Sequence, residues 1–91
     1  MSEPELTPEQ LLEQIKTMKV SDLLLSTITT LAQISYAKLD ESSRDLEQAK
    51  IGIDAIVAVL PLVEGHVPEE LTRDLGQMLA NLQLAYAGAA G

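Results

Sequence analysis

The chain of 91 residues contains no cysteine, tryptophan or phenylalanine, and its two tyrosines make it only 2% aromatic. Without cysteine there is no disulfide framework, no thiolate nucleophile and no cysteine-ligated zinc or iron–sulfur site. With so few aromatic residues, the chain also lacks the side chains that usually anchor ligands and tight transient partners. A core must therefore be built from Leu, Ile, Val and Ala, as in helical bundles.

Basic residues are scarce as well: six stand against fourteen acidic residues, which gives a net charge of −8. Such a chain is repelled by phosphate backbones and by anionic membranes, so we expect no nucleic-acid partner and no membrane partner. The longest runs without charge, residues 23–37 and 76–91, are too short and too polar to span a bilayer. The N-terminus is acidic and contains prolines, unlike a signal peptide. These features predict a cytoplasmic protein.

The apolar residues of the segment 45–63 are spaced for a helix with two apolar sides. One arc of the helical wheel contains Leu46, Ala49, Ile53, Ile56, Val57 and Leu60. The second arc, roughly opposite, contains Ile51, Ala55, Ala58, Val59 and Leu62. A helix that is apolar on two sides must be covered on both. We predict a central helix with one face for its own chain and the other for a second molecule.

The start of the first helix is strongly marked. Thr7 is the predicted N-cap, Pro8 the first helical residue and Gln10 the partner in a capping box, while Leu6 and Leu11 form a hydrophobic staple. The predicted helix is short and amphipathic, so it should be marginal alone, and we expect it to dock on another element.

Turn signals divide the rest of the chain. After a break at residues 18–21, Ser21 or Asp22 is the expected cap of the second helix, and Ser42 opens a predicted capping box for the third. Pro61 should kink or end the third helix, with Gly65 just beyond its end. The predicted fold is all-α, a three- to four-helix antiparallel bundle completed by homodimerisation. The single domain spans residues 7–87, with a disordered tail at 1–6, helices at about 8–18, 21–39, 43–60 and 68–86, and a flexible tail at 88–91.

The last helix carries a seam of apolar residues at intervals of four and three, a pattern typical of coiled coils. This seam and the second arc together exceed what a few short helices can cover, although each alone is compatible with packing inside a monomer. We therefore predict a homo-oligomer, with a dimer favoured. The predicted interface consists of Ile51, Ala55, Ala58, Val59, Leu62, Leu71, Leu75, Met78, Leu82 and Ala85.

Few residues suggest chemistry. Asp54 is the only charge between Gly52 and Val63, so it is a candidate buried polar group. Structural pairing, either with Lys50 or with a hydroxyl of the Ser/Thr-rich second helix, is the favoured interpretation, ahead of a role in dimer register or as a base or metal ligand. The single histidine, His66, is expected in an exposed turn rather than in a metal site. No catalytic, cofactor-binding or metal-binding residue is predicted.

Small and hydroxyl-bearing residues have structural explanations. Gly52 and Gly76 lie within predicted helices, each at a cost near ~1 kcal/mol relative to alanine, which predicts that another backbone passes close to both. The hydroxyl-rich stretch at residues 26–30 has no histidine nearby and no glycine-framed elbow, so its side chains are expected either to bond back to helix carbonyls or to allow a close approach of helices.

Residues 20–87 resemble a bacterial family catalogued as a domain of unknown function, the eighteen-forty-four family. The resemblance rests on an S-x-L-L-L-S-like start, a D-L-x-x-A-x-x-x-I-D stretch and an L-x-x-L-x-L-x-Y ending. The matching residues are Ser21, Leu24, Leu25, Ser26, Asp45, Leu46, Ala49, Ile53, Asp54, Leu79, Leu82, Leu84 and Tyr86. Pro61 and the first helix depart from the family pattern. The resemblance implies a small, soluble, all-helical bacterial protein with no assigned catalytic residues.

Two functions of different classes are compatible with these features. The favoured one is a non-enzymatic helical module for self-association and protein interaction. The alternative is an accessory factor that docks on a larger machine, such as the translation apparatus, through its acidic surface. An enzyme is the least favoured class, because no nucleophile–base pair or ligand set is evident.

Overall fold

The computed structural model describes residues 7–91, and over this range it contains α-helices, one short 3-10 helix and no strand. The prediction of an all-α fold is confirmed. The predicted tail at residues 1–6, including Leu6 of the hydrophobic staple, lies outside the described residues. The helices are α1 (Pro8–Thr17), α2 (Val20–Ala37), the 3-10 helix (Glu41–Ser43), α3 (Leu46–Val63) and α4 (Glu69–Ala90).

The capping box at the start of α1 is confirmed in both directions. The backbone N–H of Gln10 donates to Thr7 Oγ1 at 3.1 Å, and the backbone N–H of Thr7 donates to Gln10 Oε1 at 3.0 Å. The break after α1 is also confirmed, because Met18 and Lys19 both have extended backbones. However, α2 begins at Val20, and its N-cap residue Lys19 makes no side-chain capping bond. Ser21 and Asp22 therefore lie inside the helix rather than at its cap.

The start of α3 differs from the prediction. Asp45 is the N-cap, and its side chain accepts a hydrogen bond from the backbone N–H of Gln48 at 3.2 Å. Ser42 belongs instead to the 3-10 helix, where its hydroxyl donates to Asp40 Oδ2 at 2.6 Å. The predicted capping box at Ser42 is therefore wrong, because the 3-10 helix holds this serine in the preceding turn and away from the helix start.

Two helices run further than expected. α3 continues through Pro61 to Val63, three residues past the predicted end; proline in the last turn removes only a single hydrogen bond from the ladder. Gly65 follows with a φ of +84°, which confirms it as the glycine that ends the helix. α4 continues to Ala90, so the flexible tail predicted at residues 88–91 is wrong up to that residue. Ala89 and Ala90 favour this extension, because alanine is the strongest helix former.

The core lies between α2, α3 and α4, with α3 packed along both of its neighbours. The buried apolar residues come mainly from the first arc of α3 and from matching positions on the other two helices. They are Ile28, Ala32, Leu39, Ala49, Ile53, Ile56, Leu60, Val63, Leu75 and Leu82. This arrangement leaves the opposite side of α3 without cover from the chain itself.

α1 stands apart from this core. Each of its residues is exposed, and the helix–helix packing among residues 7–91 is concentrated in α2, α3 and α4. The molecule is 52 Å long, whereas its longest helix, α4, spans only about 33 Å at 1.5 Å per residue. The expected docking of α1 is therefore not met within one chain. In the described part of the chain, no helix combines the length and the apolar character needed to cross a membrane.

Candidate interaction surface

The second arc of α3 faces outward. Ile51 and Leu62 are 56% and 63% exposed, and Ala58 between them is also exposed. Ala55 and Val59 are partly buried, because they lie at the edge that meets α2. The two-sided helix predicted from the sequence is thus present: the first arc supplies the core apart from Val57, which is 45% exposed, and the second arc lies mostly at the surface.

One flank of α2 extends this apolar surface. Val20 is 71% exposed and shares a shallow depression with Leu24 of α2 and Leu62 of α3. At the other end of the helix pair, Ser35 of α2 meets Gly52 of α3, which fixes an antiparallel register. Further apolar residues of α2 lie in the same arc of the helical wheel, about 80° wide. We name this surface the α2–α3 face; it consists of Val20, Leu24, Leu31, Ile34, Ile51, Ala55, Ala58 and Leu62.

Asp54 lies at the rim of the α2–α3 face and not in the core. Its side chain is 61% exposed, and Oδ2 accepts a hydrogen bond from Lys50 Nζ at 2.8 Å. The prediction of a buried polar group is therefore wrong, whereas structural pairing is confirmed, and of the two partners left open it is Lys50 that binds. The bond to Asp54, and then the carboxylate charge, raise the pKa of Lys50 above its ordinary value of 10.5. The middle of the face is left without charge.

We expect Asp54→Asn to lower the pKa of Lys50 towards 10.5 with little change in thermal stability, because an exposed pair contributes little. The raised pKa means that the stabilising contribution of the pair is present at neutral pH and is lost as the pH rises through the folded-state pKa of Lys50. NMR titration of the lysine side chains, with Lys16 as an internal control, measures the shift. An unchanged Lys50 pKa in the variant would contradict the assignment.

The seam on α4 packs within the chain. Leu75 and Leu82 are buried, and Met78 and Ala85 pack against the same core while partly exposed. Leu71, at the first position of the seam, is exposed. The seam therefore supplies the intramolecular packing that the sequence left open, and little of it is accessible to a second molecule.

The other candidate residues have structural roles. The hydroxyls of Thr27 and Thr29 donate to the carbonyls of Leu23 and Leu25, one turn earlier, as expected for the hydroxyl-rich stretch. His66 is in an exposed turn, as predicted. Within residues 7–91 there is no group of three acidic or histidine side chains placed to hold a metal ion.

The two helical glycines differ. A methyl group at Gly52 would overlap Ser35 Oγ and lie 3.2 Å from Ser35 Cβ, so the expected close approach is present there. A methyl group at Gly76 would meet no atom within 4 Å. The prediction of close packing at Gly76 is therefore wrong, because this side of α4 does not face another helix.

An exposed apolar strip on α1 was not expected from the sequence, which predicted that this helix docks. Leu11, Leu12, Ile15 and Met18 are each about half exposed. Ile15 and Met18 share a shallow depression with Val20 and Leu23 at the junction with α2. Val20 lines both this depression and the one on the α2–α3 face, so the apolar surfaces of α1 and of the α2–α3 face adjoin at Val20.

Comparison with known proteins identifies no relative: no family model, no curated protein and no solved structure matches the chain. The resemblance to the eighteen-forty-four family therefore stays a prediction from the sequence. The interaction surface is accordingly the feature from which a function must be inferred.

Proposed function

We propose that this protein is a non-enzymatic self-association module that forms a homodimer through the α2–α3 face. The observation that carries the proposal is the exposed second arc of α3 after the chain has folded. Ile51, Ala58 and Leu62 form an apolar surface on a helix that already fills the core with its other side. A contiguous exposed apolar patch of this kind typically marks an interaction site.

The composition of the face favours a second copy as its partner. Its central residues are small or aliphatic and uncharged, which is typical of homodimer interfaces. Aromatic anchors, which usually give heterologous partners their affinity, are absent from it. A chain of this size also buries only about 60–65% of its unfolded surface, so association adds burial that one copy cannot supply.

The proposal predicts that Ala58→Glu converts the dimer into a monomer while helical circular dichroism is retained. Ala58 is exposed in the single chain, so the glutamate is tolerated there, whereas in the dimer it would be buried without a partner. Size-exclusion chromatography with light scattering gives the mass of each species. The matched control is Ala80→Glu, the same change at an exposed position on α4, which should leave the dimer intact.

A wild-type chain that stays at 9.8 kDa at all concentrations would overturn self-association. Loss of helical structure in Ala58→Glu would instead show that this face belongs to the core of the single chain. Salt separates the proposal from docking through the acidic surface. Two copies of charge −8 repel each other, so association through an uncharged face should tighten as salt rises, whereas charge-driven docking weakens.

A further inference from the structure

We infer that the occupant of the α2–α3 face is α1 of the second copy, so that the dimer forms by reciprocal exchange of N-terminal helices. This inference rests on the proposed self-association and names the segment that carries it. It starts from two exposed apolar surfaces in one folded chain: the strip on α1, which is not packed into the core, and the α2–α3 face.

α1 needs a partner to be stable. It has 10 residues, below the length of about 12–15 at which isolated helices become even marginally stable in water. Its capping box fixes its first turn, but a cap contributes only about 1 kcal/mol. Its apolar residues occupy one side, and its charged residues Glu9, Glu13 and Lys16 lie on the other. Such a helix is stabilised mainly by burying its apolar side.

The dimensions of the face fit this helix. Between Val20 and Ile34 the α2 side of the face is about 21 Å long, and α1 is about 15 Å long, at 1.5 Å per residue. The small side chains of Ala55 and Ala58 lie midway along the face, while the larger Leu62 and Ile51 stand at its ends. Small residues at the middle of the face allow the close approach of a helix, which then meets no charge along the centre of the face.

Area also favours helix exchange over contact between two α2–α3 faces. If each half-exposed aliphatic side chain contributes about 60 Å², the faces of two copies alone bury about 600 Å² of apolar surface, below the ~1,200 Å² of a standard stable interface. Burying the strip Leu11, Leu12, Ile15 and Met18 of both copies adds about 480 Å² and brings the total to about 1,100 Å², close to the lower limit of that size class. The exchanged helices therefore nearly double the apolar area that the dimer buries.

The link between α1 and α2 directs the helix away from its own bundle. Met18 and Lys19 are both extended, with ψ of 139° and 133°, so they span about 7 Å. A short extended link of this kind is a common hinge for the exchange of an identical element between two copies. Reciprocal exchange gives the symmetric, closed arrangement that dimers of this kind adopt.

The chain lacks cysteine, so cross-linking through introduced cysteines tests this directly in the whole chain of 91 residues. Leu12→Cys places a thiol at the centre of α1, and Ala58→Cys places another near the centre of the face. Because both positions are central, the two thiols come close whether α1 lies parallel or antiparallel to α3. The two single variants, one with a mass tag, are mixed and treated with a short bismaleimide. Helix exchange predicts a cross-linked species that contains one copy of each variant.

Other products identify other arrangements. Cross-linking of Ala58→Cys chains only to each other would overturn helix exchange and retain the proposed dimer through the face. An internally cross-linked monomer of the doubly substituted chain, without the mixed product, would show that α1 folds onto its own face and would overturn the inference. A wild-type protein that is monomeric by light scattering would overturn both proposals together.

A second measurement does not depend on the cross-linker. Leu12→Glu should raise the Kd of the dimer by at least about tenfold, because it places a charge in the exchanged contact. Thr17→Glu adds the same charge to the side of α1 that faces away from Leu12 and Ile15 and should leave the Kd within about twofold, as expected for an exposed position. Equal Kd values for the two variants would contradict the inference.

Discussion

Leu82→Ala is expected to lower the free energy of unfolding by about 3 kcal/mol, whereas Leu84→Ala is expected to change it by less than about 0.5 kcal/mol. Leu82 is 0% exposed and its removal leaves a cavity between α3 and α4, while Leu84 is 72% exposed on the same helix. For a small domain, ~3 kcal/mol is a large share of the total stability.

Urea denaturation followed by circular dichroism measures both variants. Protein concentration must be the same throughout, because association adds to the apparent stability. Both leucines belong to the same L-x-x-L-x-L-x-Y stretch, so the stretch alone does not distinguish them. If Leu82→Ala and Leu84→Ala lowered the free energy of unfolding by similar amounts, the outer side of α4 would also be covered, for example by a further contact between copies.

Gly52→Ala is expected to destabilise the protein by about 1–3 kcal/mol, even though alanine is the better helix former, because the methyl group overpacks a tight crossing. The overlap falls on Ser35 Oγ, and Ser35 itself is buried, at the point where α2 and α3 approach each other. The hydroxyl must move, or the two helices must separate.

Two further variants make this prediction specific. Gly76→Ala should stabilise the protein by up to about 1 kcal/mol, since its methyl group meets no atom within 4 Å and alanine favours the helix. Adding Ser35→Ala to Gly52→Ala should recover part of the free energy of unfolding that Gly52→Ala loses, because the overlapping hydroxyl is gone. Thermal or urea unfolding of the single and double variants gives the coupling between the two sites. If the changes in unfolding free energy caused by Ser35→Ala and Gly52→Ala simply added in the double variant, the proposed overlap would be contradicted.

Local signals determined most of the secondary structure. The capping box at Thr7 and Gln10 depends only on residues within one turn. Gly65 is recognisable as the end of α3 because the chain there has a positive φ, a backbone conformation that residues other than glycine rarely adopt. The two apolar arcs of the central helix follow from spacing alone. Where local signals competed, as at Ser42 and Asp45, the prediction of the helix start was wrong by a few residues, because several polar residues are equally able to cap.

What the sequence by itself determined is therefore the all-helical fold, the capped first helix and a central helix with two apolar sides. Only the tertiary structure decided which apolar surfaces are covered: the seam at Leu75 and Leu82 lies in the core, while Ile51, Ala58, Leu62 and the strip on α1 remain exposed. The physical reason is that helical periodicity shows which residues share a side of a helix, but burial depends on which helix packs against that side. The same reason explains why Gly52 and Gly76, and Leu82 and Leu84, look alike in the chain and differ in the fold.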